Sequence, residues 1–175
     1  MTEREPLPTL RQVFDEHARY VWRVLRHLGV PDPELDDLCQ EVFLVVHRQL
    51  PSFEARSKLS TWLYGICVRT ASDYRRRARV RYERASADPA ASLVASRGLE
   101  PDARVAAKHD LLQLLATLDE DKRTVLVLYE IEGLGMSEVA EIVGCPLQTA
   151  YSRLHAARAL VLAAANQAEP AAEAP

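Results

Sequence analysis

Side chains that can contact DNA bases lie along one side of residues 147–165. At about 100° per residue, Gln148, Ser152 and His155 fall on that side, with Tyr151 at its edge. Amide, hydroxyl and imidazole groups hydrogen-bond to base edges, whereas Thr and Arg side chains hold phosphates. The candidate phosphate contacts are Thr149, Arg153 and Arg158. The chemistry predicted for this segment is sequence-specific DNA binding.

The flanking residues predict the helix-turn-helix that would position this face. Ser137 is typical of a helix start, because its side chain can accept hydrogen bonds from free backbone N–H groups. Gly144 suits the left-handed end of that helix, and Pro146 suits the start of the next. The buried stripe of the second helix is predicted at Ala150, Leu154, Ala157 and Val161. The alternative is an ordinary helical hairpin whose polar face only meets water.

A second DNA-binding surface is predicted at the end of a long helix from Ser60 to about Arg84. Its arginines are Arg75, Arg76, Arg77, Arg79, Arg81 and Arg84, interleaved with Tyr74 and Tyr82. Such a run suits nucleic-acid backbones and stacked bases. Cations also suit the negative end of a helix dipole, but that role alone needs fewer of them.

An acidic and polar cluster lies early in the helix predicted after Pro33, at Asp36, Asp37, Gln40 and Glu41. Carboxylates near a helix N-terminus complement its dipole. The more specific interpretation is that these residues contact a basic surface on a partner protein.

The charge balance indicates that the chain does not bind DNA unaided. Its 175 residues carry a net charge of −3, whereas a protein that binds DNA alone usually has a basic balance. We therefore expect a partner that holds the chain on DNA.

Metal, cofactor and catalytic sites are not expected. The three cysteines, Cys39, Cys67 and Cys145, are far apart, which favours buried thiols over zinc or a disulfide. The five histidines are scattered, and we find no phosphate-binding glycine loop. With no run of 18 apolar residues and no signal peptide, we expect a cytoplasmic protein without membrane insertion.

The fold class predicted is all-α, because glycine is scarce, helix formers recur and no strand-like alternation is evident. Residues 85–104 lose helical periodicity and contain Pro89, Gly98 and Pro101, which is typical of a flexible linker. The predicted organisation is a leader at 1–9, a helical domain at 10–84, a linker at 85–104, a helix-turn-helix domain at 105–165 and a disordered tail at 166–175.

These segments together resemble the bacterial RNA polymerase sigma factors of the extracytoplasmic-function (ECF) group. The resemblance covers roughly residues 13–84 and 105–162. It rests on three blocks: DLCQEVFL at 37–44; Phe53 with STWLYGI at 60–66 and DYRR at 73–76; and SEVAEIVG at 137–144 with Thr149, SRL at 152–154 and AR at 157–158.

The resemblance implies three functional surfaces and their partners. The first block would dock on the clamp coiled coil of the polymerase β′ subunit through Asp37, Gln40 and Glu41, and the second domain would meet the β flap. The second block would open and recognise the -10 promoter element through Phe53, Arg56, Lys58, Trp62, Arg69, Asp73, Arg75, Arg76 and Arg77. The third would recognise the -35 element through Gln148, Thr149, Tyr151, Ser152, Arg153, His155 and Arg158. An anti-sigma factor would control the protein.

Three positions depart from the pattern usual in this family. Arg69 stands where many members have Asn, which leaves the preferred -10 base open. Tyr151 replaces a cation, so contacts there are expected to be directed more to bases than to phosphates. Asp119 stands where Pro is common, and we expect little consequence.

Two other functions are compatible with the same residues. A stand-alone helix-turn-helix regulator would bind its promoter tightly without polymerase. A decoy that has kept only protein contacts would yield no transcript from any promoter.

Overall fold

Helices account for all the regular structure in the part of the chain that the structure, a computed structural model, describes: residues 7–85 and 103–168. The N-terminal half contains α1 (Leu10–His27), α2 (Leu35–Gln49) and α3 (Leu59–Ala85), with single 3₁₀ turns at Asp32–Glu34 and Leu50–Ser52. The C-terminal half contains α4 (Ala103–Ala116), α5 (Glu120–Leu126), α6 (Met136–Val143) and α7 (Leu147–Ala168). The predicted all-α class is confirmed.

Three of the predicted boundaries differ from the helix ends. The predicted linker falls mainly on residues 86–102, which lie outside the described residues. Its outermost positions belong to α3 and α4, because the helices extend further than the periodicity suggested. Helix α7 likewise includes residues 166–168, which we had placed in the tail.

The N-terminal half is a three-helix unit in which each helix packs on the other two. Thr9 begins α1 through a reciprocal cap: its hydroxyl accepts from the Gln12 N–H at 3.3 Å, and the Gln12 side chain accepts from the Thr9 N–H at 2.8 Å. Fully buried Leu25, Leu35 and Leu63 supply one large apolar side chain from each helix to the core. This core fixes the faces on which α2 and α3 carry their polar residues.

The C-terminal half is built around α7, which packs on α4, α5 and α6. Ala150, Leu154 and Ala157 are buried, which confirms most of the predicted stripe, and Val161 is half-buried against the core. The small alanine side chains let neighbouring helices approach α7 closely.

A π-helical turn at Val127–Ile131 continues α5, and it shifts the residues that follow. It ends where the Glu132 N–H donates to the Val127 carbonyl at 3.0 Å. Val127 and Leu128 are buried in this turn, while Tyr129 is half-buried. One extra residue in a helical turn changes the face of every later residue, and a regular period cannot predict this.

Asp119 has a structural role that the sequence did not suggest. Its carboxylate caps α5 by accepting from the Lys122 backbone N–H at 2.9 Å, and it also pairs with the Lys122 ammonium group. The hydrogen bonds from the Lys122 side chain and backbone lower the pKa of Asp119. The expectation of little consequence was wrong, because the carboxylate satisfies an N–H group that a helix start leaves free.

Replacing this cap should destabilise the protein. We expect Asp119→Ala to lower the free energy of unfolding by about 1 kcal/mol, whereas Asp119→Asn, which can still accept from the Lys122 N–H but loses the charge, should lower it by less. Urea unfolding followed by circular dichroism measures both values. Equal losses in the two variants would show that the carboxylate charge, and not the capping hydrogen bond, supplies the stabilisation.

The same cap predicts a pH dependence. Because the pKa of Asp119 is lowered in the folded chain, its stabilisation is complete above the ordinary Asp value of about 3.9 and is lost as the pH falls below it. The difference in unfolding free energy between wild type and Asp119→Ala should therefore narrow below about pH 3.9.

Candidate nucleic-acid interface

The predicted helix-turn-helix is formed by α6 and α7. Gly144 ends α6 in the left-handed conformation, with φ of +66°, as its position suggested. The start of α6 differs from the prediction: the Glu138 carboxylate accepts from the Gly135 N–H at 3.1 Å, and Ser137 already lies inside the helix. A glutamate in the first turn can reach back to the chain before the helix, so it caps the helix that Ser137 was expected to cap.

The polar face predicted on α7 is open to solvent. Gln148, Ser152 and His155 are exposed, and Tyr151 is 49% exposed. Thr149, at the edge of the face, is half-buried. The structure thus brings all the candidate base contacts together on one accessible surface.

The two cations predicted beside this face are held by carboxylates of the same half. Arg153 donates to Asp121 at 2.5 Å. Arg158 donates to Glu130 at 2.6 Å and lies over the Tyr129 ring. These contacts orient both guanidinium groups, and a phosphate would have to compete with a carboxylate for either one.

The loop before α3 carries aromatic and cationic groups in a constrained backbone. The Phe53 ring packs on Trp62 with centroids 5.0 Å apart, so two of the candidate -10 residues form one aromatic pair. Ala55 has a φ of +53°, which a residue with a side chain rarely adopts. Arg56 and Lys58 are exposed, and Arg56 pairs with Glu54 at 2.6 Å.

The cationic end of α3 divides into exposed and engaged arginines. Arg76 is exposed and pairs with Asp73 on its own helix at 2.9 Å. Exposed Arg79 and Arg81 continue this surface. Arg75 differs, because only 16% of its side chain is exposed.

Arg75 joins the two halves of the chain. Its guanidinium donates to Glu120 of α5 at 2.8 Å and to the Leu28 carbonyl after α1. Arg123 of α5 also reaches the Leu28 carbonyl, at 3.5 Å. Gly29, with φ of +89°, leaves the space that the Arg123 guanidinium fills, since a Cβ there would lie 1.9 Å from it.

The acidic and polar cluster on α2 is exposed at Asp37 and Gln40. Glu41 instead accepts two hydrogen bonds from Arg77, at 2.9 and 3.4 Å. The hydrogen bonding to Glu41 and the negative charge of its carboxylate raise the pKa of Arg77. Leu44, one turn further on, is 54% exposed. An exposed leucine beside this cluster was not among the predicted contacts.

Helix α6 lies over the part of α3 that carries candidate -10 residues. The Thr61 hydroxyl donates to Glu138 at 3.2 Å. Beside this contact is a cleft of about 200 Å³, lined by Ser57, Thr61, Trp62, Gly65 and Arg69 on one side and Glu141 and Ile142 of α6 on the other. The Arg69 guanidinium lies against Gly65, where a Cβ would be 3.3 Å away. Trp62 and Arg69 are therefore partly covered by the C-terminal half.

A buried carboxylate, Glu132, lies between the two halves with only 2% of its side chain exposed. Its Oε2 accepts from the Tyr64 hydroxyl at 2.7 Å and from Arg23 at 3.2 Å, and its Oε1 lies 3.7 Å from His27 Nδ1. We call these four residues the Glu132 cluster. Three of them come from the N-terminal half, so the cluster exists only while the halves are packed together.

The pKa values in the Glu132 cluster follow from burial and hydrogen bonding. Burial alone would raise the pKa of Glu132, but contacts with His27, Tyr64 and Arg23 outweigh burial and lower it. Burial, together with the hydrogen bond to Glu132, raises the pKa of Tyr64. The cluster thus places an ionised carboxylate beside a neutral phenol that donates to it.

Other kinds of site find little support in residues 7–85 and 103–168. No group of three or more His, Cys, Asp or Glu residues there is placed to bind a metal. Cys39, Cys67 and Cys145 are free thiols. Among the helices of these ranges, none has the length and apolar character needed to cross a membrane.

Two family models match the chain, one in each half. Residues 13–81 match Sigma-70 region 2, and residues 108–161 match Sigma-70, region 4. The first match contains the α2 cluster and the candidate -10 residues, and the second contains the helix-turn-helix.

Curated relatives give the same result over most of the chain. The ECF RNA polymerase sigma-E factor of Escherichia coli (strain K12) is 33% identical over 138 residues, which span 74% of this chain and 72% of the relative. A Mycobacterium bovis protein named "Probable RNA polymerase sigma-C factor" is 32% identical over 155 residues, spanning 83% of this chain and 77% of that protein.

Solved structures share the fold. The Bartonella quintana sigma factor RpoE, solved in complex with the anti-sigma factor NepR, matches with a TM-score of 0.71 at 22% identity, covering 86% of this chain and 92% of that one. CnrH, solved with the cytosolic domain of CnrY, matches with a TM-score of 0.65 at 23% identity, covering 90% and 88%.

Proposed function

The chain belongs to the ECF group of RNA polymerase sigma factors, and we propose which of its surfaces contact the polymerase and which contact promoter DNA. A sigma factor binds core RNA polymerase and directs transcription initiation at promoter DNA. Catalysis belongs to the polymerase, so we assign this chain no reaction of its own. We place its work in the cytoplasm, with the chromosome and the polymerase.

We assign polymerase docking to Asp37, Gln40 and Glu41 of α2. Spacings of three and four residues put them on one helix face, and the exposed Leu44 extends that face by a turn. Acidic side chains around an exposed apolar residue suit a basic partner helix. We also assign a second polymerase contact, between the C-terminal half of the chain and the β flap of the polymerase.

We assign the -10 element to the loop before α3 and to α3 itself. The Phe53–Trp62 aromatic pair offers a stacking surface for a base of the opened strand. Arg56 and Lys58 are exposed in the same loop as Phe53, and Arg69 lines a cleft with Trp62. Further along the helix come Asp73, Arg75, Arg76 and Arg77. The cations would hold the strand backbone, with Asp73 orienting Arg76.

We assign the -35 element to α7. The observation that carries this assignment is the exposure of Gln148, Tyr151, Ser152 and His155 on the outer face of a formed helix-turn-helix. Thr149, Arg153 and Arg158 would hold the flanking phosphates. An α-helix fits the major groove, where base edges can be distinguished.

We also propose control by an anti-sigma factor. RpoE of Bartonella quintana, which shares this fold, was solved bound to one. Such a partner would act here by covering the polymerase and promoter surfaces of the free chain.

Core-dependent promoter binding is the first expected outcome. The free protein, with its net charge of −3, should bind a duplex promoter poorly, and core polymerase should produce a specific complex and a transcript. Gel shifts with and without core, followed by transcription in vitro, measure this. Tight binding that is indifferent to core would favour the stand-alone regulator, and core binding without any transcript would favour the decoy.

Substitutions in α7 should separate promoter recognition from polymerase binding. We expect Tyr151→Ala to weaken holoenzyme binding to a promoter with its -35 element roughly fivefold to a hundredfold, as for one lost base contact. Core affinity should not change. The matched control is Asn166→Ala, because Asn166 is exposed at the far end of the same helix. If Tyr151→Ala loses no more promoter affinity than this control, Tyr151 is not part of the recognition face.

The Glu41–Arg77 ion pair allows the polymerase and DNA surfaces to be tested separately. Exposed ion pairs add little stability, so breaking this one should leave folding intact. Glu41→Ala should weaken core binding roughly tenfold, whereas Arg77→Ala should leave core affinity intact and reduce promoter opening. Titration of labelled core and permanganate footprinting measure the two effects.

The matched control for this pair is Asp15→Ala, which breaks the exposed Arg11–Asp15 pair on α1. If Glu41→Ala and Asp15→Ala bind core equally well, Glu41 has no place in the docking surface.

A further inference from the structure

We propose that Arg69 gives the -10 site of this chain a preference for guanine, by donating two hydrogen bonds to an unpaired guanine of the non-template strand that stacks on Trp62. The inference rests on the proposed function, because it names the base that the -10 surface assigned above would recognise. The residues that form this site, Trp62, Gly65 and Arg69, all lie on α3.

Arg69 differs from the other arginines of the -10 surface because its guanidinium has no carboxylate partner. The other four each pair with a carboxylate, and the pairs are Arg56–Glu54, Arg75–Glu120, Arg76–Asp73 and Arg77–Glu41. Arg69 is exposed, and within residues 7–85 and 103–168 its guanidinium forms neither an ion pair nor a hydrogen bond. A base edge at Arg69 therefore meets donors that no carboxylate in this part of the chain already occupies.

Gly65 leaves room for the Arg69 guanidinium beside Trp62. The three residues are spaced three and four positions apart, which puts them on one face of α3. Long helical side chains lean toward the N-terminus of their helix, and this carries the guanidinium back to the glycine. A Cβ added at Gly65 would lie 3.3 Å from Arg69 Nη1 and 3.6 Å from Nη2.

The aromatic ring and the guanidinium share one small space. Trp62 and Arg69 line the same cleft of about 200 Å³, and Phe53 packs on the Trp62 ring with centroids 5.0 Å apart. A base stacked on this aromatic pair would present its edge to the Arg69 guanidinium.

The two groups would recognise a base in different ways. Stacking on an aromatic ring accepts any base, because every base has a π-face. A guanidinium is selective, since its planar fork of N–H groups matches O6 and N7 of guanine, which are both acceptors. Adenine presents an amino group, a donor, in place of O6, so it can accept only one of the two bonds. Trp62 would therefore bind the base, and Arg69 would select it.

The test measures how holoenzyme, reconstituted from core polymerase and full-length variants, binds fork-junction promoters. Each probe is duplex through the -35 element and single-stranded in the non-template -10 region of a promoter mapped from transcript starts after overexpression. Every position of that region is replaced in turn by each of the four bases. For the wild type we expect one position at which guanine binds roughly fivefold to a hundredfold more tightly than adenine, as for one bidentate pair.

Two substitutions of Arg69 should change this preference. Gln pairs with N6 and N7 of adenine, so Arg69→Gln should bind the adenine probe more tightly than the guanine probe at that position. Arg69→Ala should bind all four bases alike there. Arg69 is exposed, so neither substitution should impair folding.

Arg19→Gln is the matched control, because Arg19 is an exposed arginine of α1 with no ion pair in the part of the chain that the structure describes. This variant should keep the base preferences of the wild type at every position.

A wild type without a guanine preference at any position of the -10 region would overturn the inference, and so would Arg69 variants that keep the preference. Variants that weaken binding of all four bases equally would also overturn it, because a phosphate contact acts in that way. A wild-type holoenzyme that binds no probe, whatever its bases, would instead overturn the proposed function, and with it any role of Arg69 in DNA recognition.

Discussion

A buried carboxylate between two helical units constrains this molecule more than any other group. Removing an ion from water is costly unless charged and hydrogen-bonding partners replace the water. Glu132 has such partners only because α1 and α3 present Arg23 and Tyr64 to it. The arrangement of the two halves and the ionisation of this side chain therefore depend on each other.

Ion pairs within the chain also bear on how a protein with a net negative charge binds DNA. Its candidate DNA cations are mostly neutralised internally: Arg75 by Glu120, Arg77 by Glu41, Arg153 by Asp121 and Arg158 by Glu130. A phosphate gains little by replacing a carboxylate already in place, so affinity for DNA in the free state should be low.

The sequence predicted the features that local physics determines. The apolar stripe of α7, the left-handed Gly144 and the exposed polar face all follow from period and residue type. The sequence did not predict the π-helical turn, the cap at Asp119 or the partners of Arg75. The π-helical turn depends on one inserted helical residue, and the partners of Arg75 lie 45 or more positions away, as Glu120 does, which no periodicity encodes. The Asp119 cap is local, three residues from Lys122, and could have been found from the residue type at the helix start.

The central claim is that this chain recognises a promoter only together with core polymerase, with α7 on the -35 element and the loop before α3 on the -10 element. The most direct measurement is the protection of promoter DNA from hydroxyl-radical cleavage by the free protein, by core polymerase and by the two together. The account predicts protection of both elements only when both proteins are present. Protection by the free protein alone, or no protection of either element by the two together, would contradict it.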